Sequence, residues 1–504
     1  MTGQEMEQVA NKGRTWQAVS RALVAVALLY LATQLLPGWR MWLEQSRDAI
    51  AFPYGLDYGE GPVLDQAIGL ARLEMIYRRP GATPPFTLAN YPPLYPLAQA
   101  PFVAAFGPAL WYGRVINLAS LLGACLFLGL TIWRTTRSLA GSLAAGLLLP
   151  TIPFIAHWSA FVRVDSLALL FVCAGLWSAA GIRRASGVDG ATPPIPWGAL
   201  LPSILLFACA IFTRQSTGLA GPLAAFVWIF RQDWRRGLGF GFGLGALCGA
   251  LALALNLASG GGFFFDIVTA NVNPFGLDPV KNYAGEIWAH LPGLVVGAGI
   301  FGALGWWKGR PAWWLVAPFL AGALASALTI GKSGSNVNYL FELCAALCLG
   351  CGALVGALPR LWIQATLTAA LAWQLAPMTA WTAENYLPRV YGKIDDRAAV
   401  AQLARLVAAA DGDVLADEWM ALVPIGGKRL AFQPFELKQL ADAGLWDDGA
   451  LSSRIARGEY GLILLYDPPD WDSRRQRWTE HLLYAVEARY KLVGRVSDTL
   501  VYEP

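Results

Sequence analysis

Asp57-Tyr58-Gly59-Glu60-Gly61-Pro62-Val63-Leu64-Asp65-Gln66 sets three carboxylates, Asp57, Glu60 and Asp65, just after the first of many apolar spans. Acidic residues in that position point to chemistry at a membrane surface. Around them the 504-residue chain is 56% hydrophobic and only 14% charged, too apolar for a soluble domain and suited to an α-helical polytopic membrane protein. The formal net charge of +4 is scattered over short loops. It reports orientation and offers no stripe for nucleic acid.

A span needs about 20 apolar residues. About eleven stretches qualify: 19–37, 108–133, 138–156, 161–182, 197–213, 217–231, 237–258, 290–307, 312–330, 337–357 and 361–380. The apolar run from Leu23 to Leu36 lacks a small-residue cleavage site and reads as a retained helix. With the N-terminus cytoplasmic, the inner ends carry Lys12, Arg14, Arg21, Arg134, Arg137, Arg183, Arg184, Arg231, Arg235, Arg236, Lys308, Arg310 and Arg360. The short outer loops then carry only Arg163, Arg214, Lys281 and Lys332. That bias follows the positive-inside rule, from which the long loop 38–107 is discounted. The expected organisation is a membrane region 1–383 in the inner (plasma) membrane and an extracytoplasmic α/β domain 384–504.

In that second region, helical stretches (Asp395–Ala410, Phe435–Ala443, Trp478–Tyr490) separate strand-like ones (Val414–Ala416, Leu430–Phe432, Leu462–Tyr466, Leu492–Arg495, Thr499–Tyr502). It contains neither a Gly-rich phosphate loop nor a nucleophile elbow, so scaffolding or substrate docking is its expected part. Within loop 38–107, Pro62–Arg79 is amphipathic and predicts a helix lying in the membrane interface. In Asn90–Pro96, prolines block regular helix, while Tyr91 and Tyr95 suit the headgroup layer as anchors or as contacts to a lipid substrate. All seven cysteines fall in apolar runs, which leaves no disulfide in the loops.

Polar residues gather at the outer ends of the spans: Asp57, Glu60 and Asp65; Arg114; His157, Arg163 and Asp165; Arg214 and Gln215; Asn271, Asn273, Asp278 and Lys281; Lys332, Asn336 and Asn338. A carboxylate can deprotonate a hydroxyl, and cations can hold a phosphate leaving group. Against this, interfacial Arg and Lys routinely reach for lipid headgroups. Arg163 and Asp165, two apart on an expected helix, point to different sides.

An acidic motif after the first span, a YPPLYP-like segment, many spans and an outer domain resemble the GT-C superfamily of polyprenyl-phosphate-dependent glycosyltransferases. Within it the chain is similar to the protein-mannosyltransferase-like and aminoarabinose-transferase-like branch, glycosyltransferase family 39-like. The resemblance implies a GT-C-like fold of about eleven transmembrane helices and inverting transfer of a sugar from a polyprenyl-phosphate donor to an acceptor hydroxyl on the extracytoplasmic face. Members often carry an Asp-Trp-Asp-Glu-Gly-like string with the second Asp as catalytic residue. This chain has Gly59 there, which leaves Asp57 and Glu60 as candidate bases. The expected substrate-binding set is Asp65, Tyr91, Tyr95, Arg163, Asp165, Arg214, Gln215, Lys332, Asn336 and Asn338. Asp57 and Glu60 offer hard oxygens for a divalent metal, but no third carboxylate stands at a fitting spacing, so a reaction without metal or other cofactor is favoured. The sugar and the acceptor stay open. The rival class is a secondary transporter or lipid flippase, which would call for inverted repeats and ionisable residues at mid-depth.

Overall fold

The computed structural model describes residues 3–183, 194–358 and 360–504. Arg184 and the side chains of Lys12 and Arg14 lie outside the described residues.

Each of the eleven apolar stretches is helical over most of its length. Among the described residues, five helices are long and apolar enough on their own to cross a bilayer: Thr15–Ala51, Trp111–Thr136, Trp234–Ala258, Trp313–Gly331 and Val337–Ala357. A sixth span arises if Leu277–His290 and Pro292–Trp307, bent by 92° at their junction, count as one. The count of eleven spans is therefore not confirmed, since several of these stretches form shorter or broken helices. Proline is one reason: Pro150 and Pro153 divide 138–156 into the pieces Leu139–Leu147 and Pro153–Trp158. The first helix departs in the other direction, running without a break from Gly3 to Ala51 through Pro37.

Val337–Ala357 is apolar beyond its first turns, where Asn338 and Glu342 lie, and is correspondingly buried, as expected of a helix at the centre of a bundle. Small residues let its neighbours come close. A Cβ on Gly352 would stand 2.5 Å from the Gly141 carbonyl oxygen, and one on Gly350 2.7 Å from Ala298 Cβ. At one end of the bundle basic side chains lie on tryptophan rings: Arg134 over Trp177 at 4.1 Å, Arg231 over Trp314 at 4.5 Å and Arg236 over Trp197 at 3.8 Å. Arg114, on the first turn of the helix that ends near Arg134, marks the opposite end.

The first loop does not lie in an interface. Its helix is Glu60–Ala71, shorter than expected, and most of it is buried. It is sandwiched between Leu94–Phe106 and Leu422–Ile425 of the C-terminal region. Gly61 makes this possible, since a Cβ there would stand 2.5 Å from the Ala421 amide nitrogen. The Asn90–Pro96 prolines initiate a helix instead of blocking one. Leu94–Phe106 starts directly after Pro92 and Pro93 and holds Pro96 in its first turn, where no intrahelical N–H is needed.

The C-terminal region holds a four-stranded sheet: β1 (Asp413–Ala416), β2 (Tyr460–Tyr466), β3 (Lys491–Val496) and β4 (Thr499–Glu503), in the order β1-β2-β4-β3. β1 and β2 are parallel; the other pairings are antiparallel. The strand-like Leu430–Phe432 does not join this sheet. It pairs across to the first loop, where Phe86 N–H donates to Ala431 O at 2.8 Å and Phe86 O accepts from Gln433 N–H at 3.0 Å.

Candidate active site

The Asp57–Gln66 motif bridges three parts of the molecule, and its carboxylates have separate fates. Glu60 is fully buried and ion-paired to the equally buried Arg114, Nη2 to Oε2 at 2.9 Å. It also accepts from the Leu56 N–H at 2.6 Å and the Val162 N–H at 2.7 Å. Burial alone would lift this carboxyl, but Arg114 and the two amides outweigh it and hold it below the usual range. Arg114 is as fully engaged, donating to the carbonyls of Ala49, Phe52 and Tyr54. Asp65 accepts from Arg429 Nε at 2.9 Å and from the Leu430 N–H at 3.1 Å, which fastens the first loop to the C-terminal region.

Asp57 differs. Its Oδ2 accepts from the Gly59 N–H at 2.9 Å and lies 2.9 Å from Arg163 Nε, and its side chain retains 16% exposure. Burial raises its carboxyl above the ordinary value, against the pull of Arg163. Arg163 is not on a helix; it sits in the turn before Asp165–Ala180, with the Tyr58 ring at 5.9 Å and the Trp158 ring at 5.3 Å from its guanidinium carbon. Gly59 is the residue that admits it. A Cβ at that position would stand 1.8 Å from Arg163 Nη1, so the guanidinium occupies the space a side chain would take.

A second ionic group is buried apart from the first. Asp165 pairs with Arg214 at 2.5 Å and accepts from Trp158 Nε1 at 2.9 Å and Asn338 Nδ2 at 3.1 Å. Arg214 donates to the Asn338 carbonyl at 2.8 Å and lies over the Tyr339 ring at 4.7 Å.

A cavity of about 110 Å³ opens between the membrane region and the C-terminal region. Of the sequence-derived candidates it brings together Tyr91, Arg163, Gln215 and Lys332, beside Tyr58 and Gly59. Asp57 does not line it but is paired with Arg163, which does. Glu60, Asp65, Tyr95, Asp165, Arg214, Asn336 and Asn338 do not line it. Tyr95 is buried and donates to Gly113 O at 3.1 Å, and Asn336 caps the turn at Val337. Two acidic residues line the cavity that sequence reasoning did not select, Asp266 and Glu436. Asp266 had a faint signal as a lone acid in the apolar run Phe263–Val268; Glu436 had none. Among the described residues no cluster of three or more His, Cys, Asp or Glu is disposed to hold a metal ion.

Comparison with solved structures fixes the architecture. The chain superimposes on ArnT from Cupriavidus metallidurans in the apo state with a TM-score of 0.57 at 14% identity, covering 97% of this chain and 98% of that one. The chain has the GT-C fold. ArnT bound to undecaprenyl phosphate matches with a TM-score of 0.56 at 16% identity over 95% and 98% of the two chains. The oligosaccharyltransferase AglB from Archaeoglobus fulgidus, in complex with an inhibitory peptide and a dolichol-phosphate, gives 0.56 at 9% identity over 92% and 72%. In sequence, no protein-family model and no curated protein matches the chain.

Proposed function

We propose that this protein is an integral-membrane glycosyltransferase that moves a sugar from a polyprenyl-phosphate donor to an acceptor hydroxyl at the extracytoplasmic face, with inversion. The observation that carries the reading is one cavity lined by Arg163, itself paired with Asp57, and by Lys332, in a fold whose solved representatives include ArnT bound to undecaprenyl phosphate and AglB in complex with a dolichol-phosphate. The N-terminus is taken as cytoplasmic and the region after Glu384 as extracytoplasmic, from the Lys/Arg asymmetry.

In this mechanism the acceptor oxygen attacks the anomeric carbon from the face opposite the phosphate. Its proton passes to the Asp57 carboxylate, and the bond between the anomeric carbon and the phosphate oxygen breaks with its electron pair leaving on the polyprenyl phosphate. Arg163 and Lys332 neutralise the departing anion; the planar fork of Arg163 suits two phosphate oxygens at once. Glu60 is left out of the proton transfer because its oxygens are already engaged, and Arg214 acts at a distance by holding Asp165. Incubating the purified protein in nanodiscs with polyprenyl-phosphate-linked sugars and cell-envelope acceptors tests the reading. The expected result is sugar transfer with release of polyprenyl phosphate, and lipid translocation without any transfer would refute it.

A further inference from the structure

Three acceptor atoms at the cavity have no hydrogen-bond partner among the described residues: Gln215 Oε1, Asp266 Oδ1 and Glu436 Oε2. Buried acceptors of this kind are costly when unmatched, and Asp266 and Glu436 both line the cavity, so an occupant that brings hydrogen-bond donors suits it. Glu436 comes from the outer domain, on the helix Pro434–Asp442. Its other oxygen is fixed by the Tyr58 hydroxyl at 2.5 Å and by Asn90 Nδ2 at 3.4 Å, which ties it to the residue next to Asp57. Asp266 belongs to the membrane region, with Oδ2 accepting from the Ala89 N–H at 3.2 Å.

The rest of the polar lining is rich in amides, with Gln66, Asn90, Asn271, Gln433 and Gln439 joining Gln215. An amide offers both a donor and an acceptor and carries no charge, which matches hydroxyl groups and gives no preference to an ion. The cavity's cations, Arg163 and Lys332, belong to the phosphate under the proposed function. We infer that Glu436 and Asp266 are specificity-determining residues that read the transferred group as a neutral polyhydroxylated sugar. This inference rests on the donor reading above and deepens it. Burial supports it by pushing the Asp266 carboxyl up to about 8, with nearby backbone N–H groups only partly offsetting the rise. Near neutral pH that carboxyl both donates and accepts, as a hydroxyl partner requires and an ammonium group does not. Burial also raises Glu436.

The test is binding to the full-length protein in nanodiscs. The probes are undecaprenyl phosphate alone and the same lipid carrying glucose, arabinose, an amino-deoxy pentose or glucuronate. The expected result is that a neutral-sugar form binds about tenfold tighter than bare lipid, roughly what one or two ordinary hydrogen bonds contribute. Glu436→Ala and, independently, Asp266→Ala, which remove both the donor and the acceptor, should erase most of that margin while leaving the affinity for bare undecaprenyl phosphate in place. The inference is overturned if the margin survives both substitutions, if bare and sugar-bearing lipids weaken together, if the amino or uronate form binds best, or if no sugar form exceeds bare lipid. Wild-type protein that ignores undecaprenyl phosphate altogether would remove the donor reading itself, and this inference with it.

Discussion

Arg163 Nε stands 2.9 Å from Asp57 Oδ2, and of the two residues only Arg163 lines the cavity. The cation that can grip a donor phosphate is thus the one that restrains the proposed base. Replacing Asp57 with Asn at nearly constant size should lower transfer by about 10²–10⁴-fold while the protein stays folded. Full transfer by purified, monodisperse Asp57→Asn would place the base elsewhere.

The same pair sets a pH dependence. Burial raises the Asp57 carboxyl and Arg163 lowers it, with burial the larger effect. A base must be ionised, so transfer should fall as pH drops through that raised value, giving an acid limb above the ordinary carboxylate range. Arg163→Gln removes the lowering influence and should move the limb to still higher pH. A pH–rate profile of the two proteins decides, and a limb that stays in place under Arg163→Gln separates Asp57 from the observed titration.

Gly59 should tolerate no side chain while Arg163 keeps its position. Gly59→Ala is expected to displace the guanidinium and weaken binding of undecaprenyl phosphate, because a Cβ would stand 1.8 Å from Nη1. Donor titration of the variant checks this; affinity equal to wild type would show that the guanidinium has room to move.

Lys332 and Arg214 should separate cleanly. Lys332 lines the cavity beside Asn271, so Lys332→Ala should raise the donor KM about tenfold in a folded protein. Arg214 is buried against Asp165, so Arg214→Ala leaves an uncompensated charge and should cost about 3–5 kcal/mol of stability. Thermal unfolding monitored by size-exclusion in detergent distinguishes the two effects. A stable Arg214→Ala protein with weakened donor use would return Arg214 to the phosphate.

Much of the architecture is legible in the chain because hydropathy reports it directly: the apolar runs at 108–133, 237–258 and 337–357 all became long helices. Ion pairing was not legible. Asp65 finds Arg429 across 364 positions, and no local pattern announces such a partner. Glu60, which looked available as a base, and Asp65, Asp165 and Arg214, which looked available for substrate, are paired with each other or with other side chains for the same reason. The Leu430–Phe432 stretch shows a related limit. Its apolar run correctly signals an extended, buried segment, but which edge it pairs with depends on a loop more than three hundred residues earlier. Gly59 reads in sequence as the loss of an acid, whereas in space it is room for Arg163.

The pairing of Phe86 with Ala431 and Gln433 bears on how the molecule is made. One wall of the cavity leaves the ribosome within the first hundred residues, and the wall bearing Glu436 emerges only after the whole membrane region. Every earlier stage of synthesis therefore carries an open, unfinished pocket. The cavity becomes complete late, once the last segment has folded back onto the beginning of the chain, and under the proposed function a nascent or truncated copy would transfer no sugar.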